Sequence, residues 1–197
     1  MGLRVGDDVD SVKEVNEQTA MEYFARLDAQ VRPGTELFVI GGSAIALLGA
    51  KIRVTADIDV ALPYSRIEMP DFAEASKRVG FPVDPGLGYQ GVFVELIKPL
   101  MLTLPEPQED RQIVLFTGRN LTVKTCPAAD LAASKLYRCG EQDVEDLQFL
   151  VQSCGVTFEQ VEEAVARLPQ RFRDDVLVKE NLENLRSDIA MWKGASQ

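Results

Sequence analysis

The sequence predicts an α/β (α+β) chain: a mixed β-sheet flanked by helices, followed by a helical C-terminal portion. Three observations predict it. Short apolar runs of strand length recur in the first two thirds of the chain, bounded by turns rich in Gly and Pro. Segments of helical period lie beside these runs and fill the chain beyond residue 126. The chain has 197 residues, 46% of them apolar, which is enough for a sizeable core.

The elements follow in order, in three parts: an N-terminal helix packed on the core (1–34), an α/β core (35–125) and a helical portion (126–197). Residues Met1 to Asp10 carry no anchoring pattern. Ser11 with Glu14, and Thr19 with Glu22, offer capping boxes. They predict a helix from about Val12 or Ala20 to Gln30, with Met21, Phe24, Leu27 and Val31 facing the core. Pro33 and Gly34 end it. Phe38, Val39 and Ile40 suit a buried strand. Gly41 and Gly42 tolerate unusual backbone angles and close ligand approach, and Ser43 is placed to N-cap a helix to about Leu48. Ala56, Ile58 and Val60 then alternate with Asp57 and Asp59, which puts both acids on one face of a strand. Pro63 closes that strand. Pro70 and Asp71 open a helix to about Val79, stopped by Gly80.

Residues 81–90 read as a long loop, either a surface connection or a border of the site. Gly91 to Ile97 alternates as a strand, with Glu95 a lone acid between Val94 and Leu96. Glu109 and Asp110 fall in a polar turn. Gln112 to Phe116 and Leu121 to Lys124 read as two strands joined at Gly118-Arg119-Asn120. Pro127 suits the first turn of a helix that carries Leu131, Ala132 and Leu136 inward and breaks at Gly140. A second helix runs from about Gln142 to Ser153, burying Val144, Leu147, Leu150 and Val151, with Gly155 as its stop. Thr157 and Gln160 box the start of a third, to about Leu168, ended by Pro169. A fourth extends from Asp174 to about Ala190.

Composition excludes several chemistries. The chain has no histidine, which removes Ser-His and Cys-His nucleophile pairs and His-based zinc sites. The net charge of −10 argues against broad electrostatic binding of nucleic acid, though not against a small nucleotide met locally by cations. Cys126, Cys139 and Cys154 form no ligand pattern and read as reduced thiols of a cytoplasmic protein. No apolar run is long enough to span a membrane, and the acidic N-terminus lacks a signal-peptide core.

The chemistry concentrates between Leu37 and Leu62. A Gly-Gly-Ser turn at a helix start presents amides that attract phosphate. Two aspartates a side chain's width apart repel each other, and a hard cation such as Mg²⁺ relieves them. Together they would hold a nucleoside triphosphate with its metal. Each half has a plainer reading: a common α/β turn, and a solvated strand face.

Val39-Ile40-Gly41-Gly42-Ser43, followed after a spacer of about a dozen residues by Asp57-Ile58-Asp59-Val60, resembles the signature of the DNA polymerase β-like nucleotidyltransferase superfamily. The resemblance implies transfer of a nucleoside monophosphate from an NTP to an acceptor, with release of pyrophosphate. It implies that Asp57 and Asp59 hold two Mg²⁺ ions and that Gly41, Gly42 and Ser43 grip the β- and γ-phosphates. A third carboxylate is implied on a later strand, and Glu95 is the candidate for binding metal and deprotonating the acceptor. Its plainer reading is an outward-facing strand residue.

Asp130-Leu131, Ser134-Lys135-Leu136 and Asp143-x-x-Asp146-Leu147 resemble a prokaryotic branch of that superfamily, the nucleotidyltransferases of domain of unknown function 6036, related to abortive-infection toxins of toxin–antitoxin systems. The branch implies Lys135 on the triphosphate. The plainer readings are a surface lysine or a partner for Asp143 or Asp146. Those two acids read as a helix start with local pairing. Gly140-Glu141-Gln142 departs from the branch, which carries a basic residue there. The acceptor is left open among a tRNA end, a protein hydroxyl and a small molecule, and a toxin would have an antitoxin partner. The alternative function is a catalytically inactive module that keeps the fold for binding or interaction.

Overall fold

The first helix, α1 (Glu17–Asp28), starts at Asn16. The Asn16 side chain accepts the Thr19 N–H at 3.0 Å, and the Thr19 hydroxyl accepts the Asn16 N–H at 2.8 Å. Thr19 therefore closes a box one turn earlier than its spacing to Glu22 suggests. The structure, a computed structural model, describes residues 14–194. The expectations for Met1 to Asp10 and for a cap at Ser11 lie outside the described residues. Ala20, Tyr23, Phe24 and Leu27 form the buried stripe of α1. Met21 falls between these turns and faces outward, and Val31 lies beyond the helix end, only half-buried.

Five strands follow: β1 (Thr35–Phe38), β2 (Asp57–Ala61), β3 (Phe93–Ile97), β4 (Ile113–Thr117) and β5 (Leu121–Thr125). β1 pairs parallel with β5, β4 antiparallel with β5, and β2 parallel with β3. An antiparallel bridge between Val39 and Val60 joins the two groups, with Ile40 N–H donating to Asp59 O at 2.9 Å. The mixed sheet thus runs β4-β5-β1-β2-β3. The helix α2 (Gly41–Leu47) connects β1 to β2, and α3 (Met69–Arg78) provides the crossover from β2 to β3. The loop after α3 lies along β3: Val83 bridges Val94, and Asp84 Oδ1 accepts the Leu96 N–H at 2.9 Å.

At the far edge, Asp28 ties the β4–β5 turn to α1. Its carboxylate accepts N–H groups from Arg119 (3.1 Å), Asn120 (2.7 Å) and Leu121 (2.8 Å). Burial alone would raise this carboxyl, but the backbone donors and Arg119 hold it below the ordinary range. A side chain at Gly118 would collide with the same carboxylate.

Beyond the sheet come α4 (Ala128–Lys135), α5 (Glu141–Gln152), α6 (Phe158–Ala166), α7 (Gln170–Arg173) and α8 (Val176–Gly194). Leu131, Ala132, Leu136, Leu147, Leu150 and Val151 are buried as their periodicity predicts; Val144 is half-buried. The Thr157–Gln160 box is present. Pro169 does more than end α6: it starts the short α7, because its fixed φ suits a helix entrance. The last helix accordingly begins later, at Val176, and runs further, to Gly194, with Trp192 packed partly against the core. Among the described residues no helix is long and apolar enough to cross a membrane.

Candidate active site

β2 and β3 run in register, with Asp59 beside Glu95. Ile58, Val60, Val94 and Leu96 are buried on one face, so Asp57, Asp59 and Glu95 emerge together on the other. One carboxylate oxygen from each of the three lies within 4.8 Å of the others. Glu109 and Asp110 lie in an exposed 3₁₀ turn, Glu109–Arg111. Thr55 Oγ1 donates to Asp57 Oδ1 at 2.7 Å. Burial first, then the neighbouring charges of Asp57 and Glu95, push the Asp59 carboxyl up to about 7, against a weaker pull from Lys135 and Arg53. Burial, Asp57 and Asp84 also raise Glu95. Three hard oxygen donors whose repulsion Lys135 and Arg53 only partly offset suit a divalent cation of the Mg²⁺ kind.

Gly41 is glycine for two reasons. Its φ is +64°, and a Cβ there would overlap the Asp59 carboxylate. A Cβ at Gly42 would overlap the Arg53 guanidinium. Ser43 does not cap α2: the N-cap is Ile40, without a side-chain bond. Ser43 lies inside the helix, fully buried, where its Oγ donates to Ile40 O at 3.0 Å and accepts the Asp59 N–H at 3.3 Å. A serine three positions too far along the chain for the cap instead rivets α2 to the acidic strand.

The acids, Gly41 and Gly42 open into a cavity of about 770 Å³, whose wall also includes Arg53, Ser134, Lys135, Tyr137, Arg138 and Asp143. Two buried acids on α5 anchor its cations. Lys135 Nζ lies 3.2 Å from Asp143 Oδ1 and 2.7 Å from Asp146 Oδ2. Arg138 donates to both Asp143 oxygens, at 2.8 and 2.9 Å. Arg53 Nε donates to Asp146 Oδ1 at 2.9 Å. Burial opposes the charge on Asp143, but Arg138, Lys135 and the Gly140 N–H outweigh it and hold the carboxyl low. Asp143 therefore starts α5 and pairs locally, as its position suggests. Asp146 pairs with Lys135 and also with Arg53, far away in the chain. A second cavity, of about 280 Å³, lies between residues 31–35 and 66–72; Glu68 and Asp71 line it, and among the described residues no group of three metal-ligating side chains lies there.

Residues 18–168 match a family described as nucleotidyltransferase of unknown function, DUF6036. The chain belongs to this family. The matched range includes every strand and α1 to α6. No curated protein and no solved structure matches the chain.

The cavity holds residues that the linear motifs do not show. Arg138, two positions before Gly140, is the arginine that pairs with Asp143. Cys139, at φ +46°, turns the chain so that a residue two positions earlier reaches Asp143. Its signal was readable: Arg138 stands one helical turn beyond Lys135. Arg53 had no such signal, because its partner comes from α5.

Proposed function

We propose that this DUF6036 protein is a Mg²⁺-dependent enzyme that transfers a nucleoside monophosphate from an NTP to an acceptor hydroxyl. The observation that carries the reading is the convergence of Asp57, Asp59 and Glu95 at a cavity whose other wall bears Arg53, Lys135 and Arg138. Asp57, Asp59 and Glu95 would hold the metal, two ions in the superfamily pattern, and the metal would neutralise charge on the entering and leaving oxygens.

The chain's own residues do the rest. Gly41 and Gly42 line the cavity, where the triphosphate would meet the backbone, and the buried Ser43 supports that turn by holding α2 to β2. Lys135 faces the charge that grows on the departing pyrophosphate, with Arg138 beside it. Glu95, whose carboxyl is raised, takes the proton of the acceptor hydroxyl. The acceptor oxygen then bonds to the α-phosphorus as the bond to pyrophosphate breaks. Asp143 and Asp146 position the cations. Relatedness to toxin-type enzymes adds one corollary: a toxin role would come with a small antitoxin encoded next to this chain.

The test is calorimetric titration of each NTP with Mg²⁺ into the wild type and into the double variant Asp57→Ala, Asp59→Ala. Metal-dependent binding in the wild type alone is the expected result. Equal binding by both proteins removes the acidic cluster from the site. Glu95→Gln then separates the enzyme from an inactive binding module: it should keep NTP binding and lose turnover.

A further inference from the structure

One part of the cavity wall has no use in the phosphate and metal chemistry. Tyr137, Met101 and Leu177 line the same cavity as the carboxylates, yet they are 42%, 58% and 54% exposed. They come from three separate elements: the α4–α5 connection, the 3₁₀ turn Pro99–Met101 and the first turn of α8. Large apolar side chains left open at a cavity mouth cost free energy unless something covers them.

Tyr137 is held in place. Its ring meets the buried Phe172 of α7 edge to face, with centroids 4.9 Å apart and planes at 73°. α7 is itself fixed to the turn that carries Met101, through Arg171 Nη2 donating to Pro99 O at 3.2 Å. The ring therefore has one supported contact and a substantial open surface, and it is flanked in sequence by two cavity cations, Lys135 and Arg138.

We infer that Tyr137, in a cavity wall that Met101 and Leu177 also line, is the stacking subsite for the nucleobase of the bound nucleotide. This rests on the nucleotide reading of the cavity given above. A nucleotide carries its charge at one end and a flat apolar-faced ring at the other. The cavity offers both complements: cations and carboxylates for the phosphates and their metal, and a positioned aromatic ring, with a thioether and an aliphatic side chain elsewhere in the wall, for the base. Every base has a π-face, so stacking here supplies affinity without a hydrogen-bond code. The volume of about 770 Å³ falls within the range of small-molecule sites, about 300–1,000 Å³.

The experiment compares ATP with inorganic tripolyphosphate, both with Mg²⁺, by calorimetry on the full chain. The proteins are the wild type, Tyr137→Ala, Tyr137→Phe and Tyr137→Leu. Tripolyphosphate reports the phosphate and metal part alone. The wild type is expected to bind ATP more tightly than tripolyphosphate. Tyr137→Ala should weaken ATP roughly 5- to 150-fold, the worth of one base–aromatic stack, and leave tripolyphosphate unchanged. Tyr137→Phe should keep ATP affinity. Tyr137→Leu preserves bulk against Phe172 and should weaken ATP alone, which keeps the test open if the alanine variant does not fold. Equal affinity of the wild type for the two ligands overturns the stacking subsite and leaves the phosphate site standing. Equal weakening of both ligands by Tyr137→Leu also overturns it, since the ring would then support the cations. Binding of neither ligand overturns the nucleotide reading and this inference with it.

Discussion

Replacing Asp59 by Asn should make the metal-free protein more stable while destroying its metal site. In the folded chain Asp59 is squeezed between burial and the charges of Asp57 and Glu95, which raise its carboxyl from 3.8 to about 7. Well below pH 3.8 the group is neutral in both states, so it costs nothing. As pH rises past 3.8, the unfolded chain releases this proton and the folded chain keeps it, so folding stability falls. The loss is complete above pH 7. A shift of about three units corresponds to an upper limit of roughly 4 kcal/mol.

Asn has the same shape and no charge, so the variant should escape this penalty. Working at pH 5.5 to 8.5 avoids the sequence pI of about 4.6. Across that window the advantage of the variant should grow by roughly 2 kcal/mol. Urea unfolding in the presence of a chelator measures it. Added Mg²⁺ should then stabilise the wild type and leave the variant unchanged, since ligands that bind only the folded state shift the equilibrium by their affinity. A variant less stable than the wild type at pH 8.5, or a difference that does not change with pH, would refute the picture of an only partly compensated acidic cluster.

Two further perturbations test the supports of the site. Gly41→Ala imposes a left-handed backbone on a residue with a Cβ, worth about 1–2 kcal/mol, and drives that Cβ into Asp59. Urea unfolding should show the loss and calorimetry a weakened Mg²⁺-dependent NTP binding; unchanged binding would separate the glycine from the site. Asp146→Asn leaves Lys135 and Arg53 facing a neutral partner in a buried setting, and removing one member of such a group costs about 3–5 kcal/mol. A loss under 1 kcal/mol by urea unfolding would mean that Asp143 and solvent suffice to hold the cations.

Much of this protein was legible along the chain. The alternation of Asp57 and Asp59 with Ile58 and Val60, the paired glycines, and the buried stripes of α4 and α5 are local properties. They follow from the two-residue period of a strand, the turn period of a helix and the sterics of a missing Cβ, all of which neighbouring residues set among themselves. Other features needed the fold. Glu95 stands beside Asp59 because the α3 crossover sets the β2–β3 register, and an isolated Val-Glu-Leu does not encode its neighbour. Ser43 lost its expected cap because α2 begins at Gly41, two residues before it, which sends its hydroxyl to β2. Arg53 meets Asp146, and Asp28 meets the β4–β5 turn, across most of the chain's length. Tyr137 becomes part of the cavity wall only where α7 and α8 fold back over it. Sequence alone determined most of the strands, turns and helices and put Asp57 and Asp59 on one face of their strand. The tertiary structure decided which charges meet, because an ion pair depends on distance in space, and distance along a chain that folds back on itself says little about that.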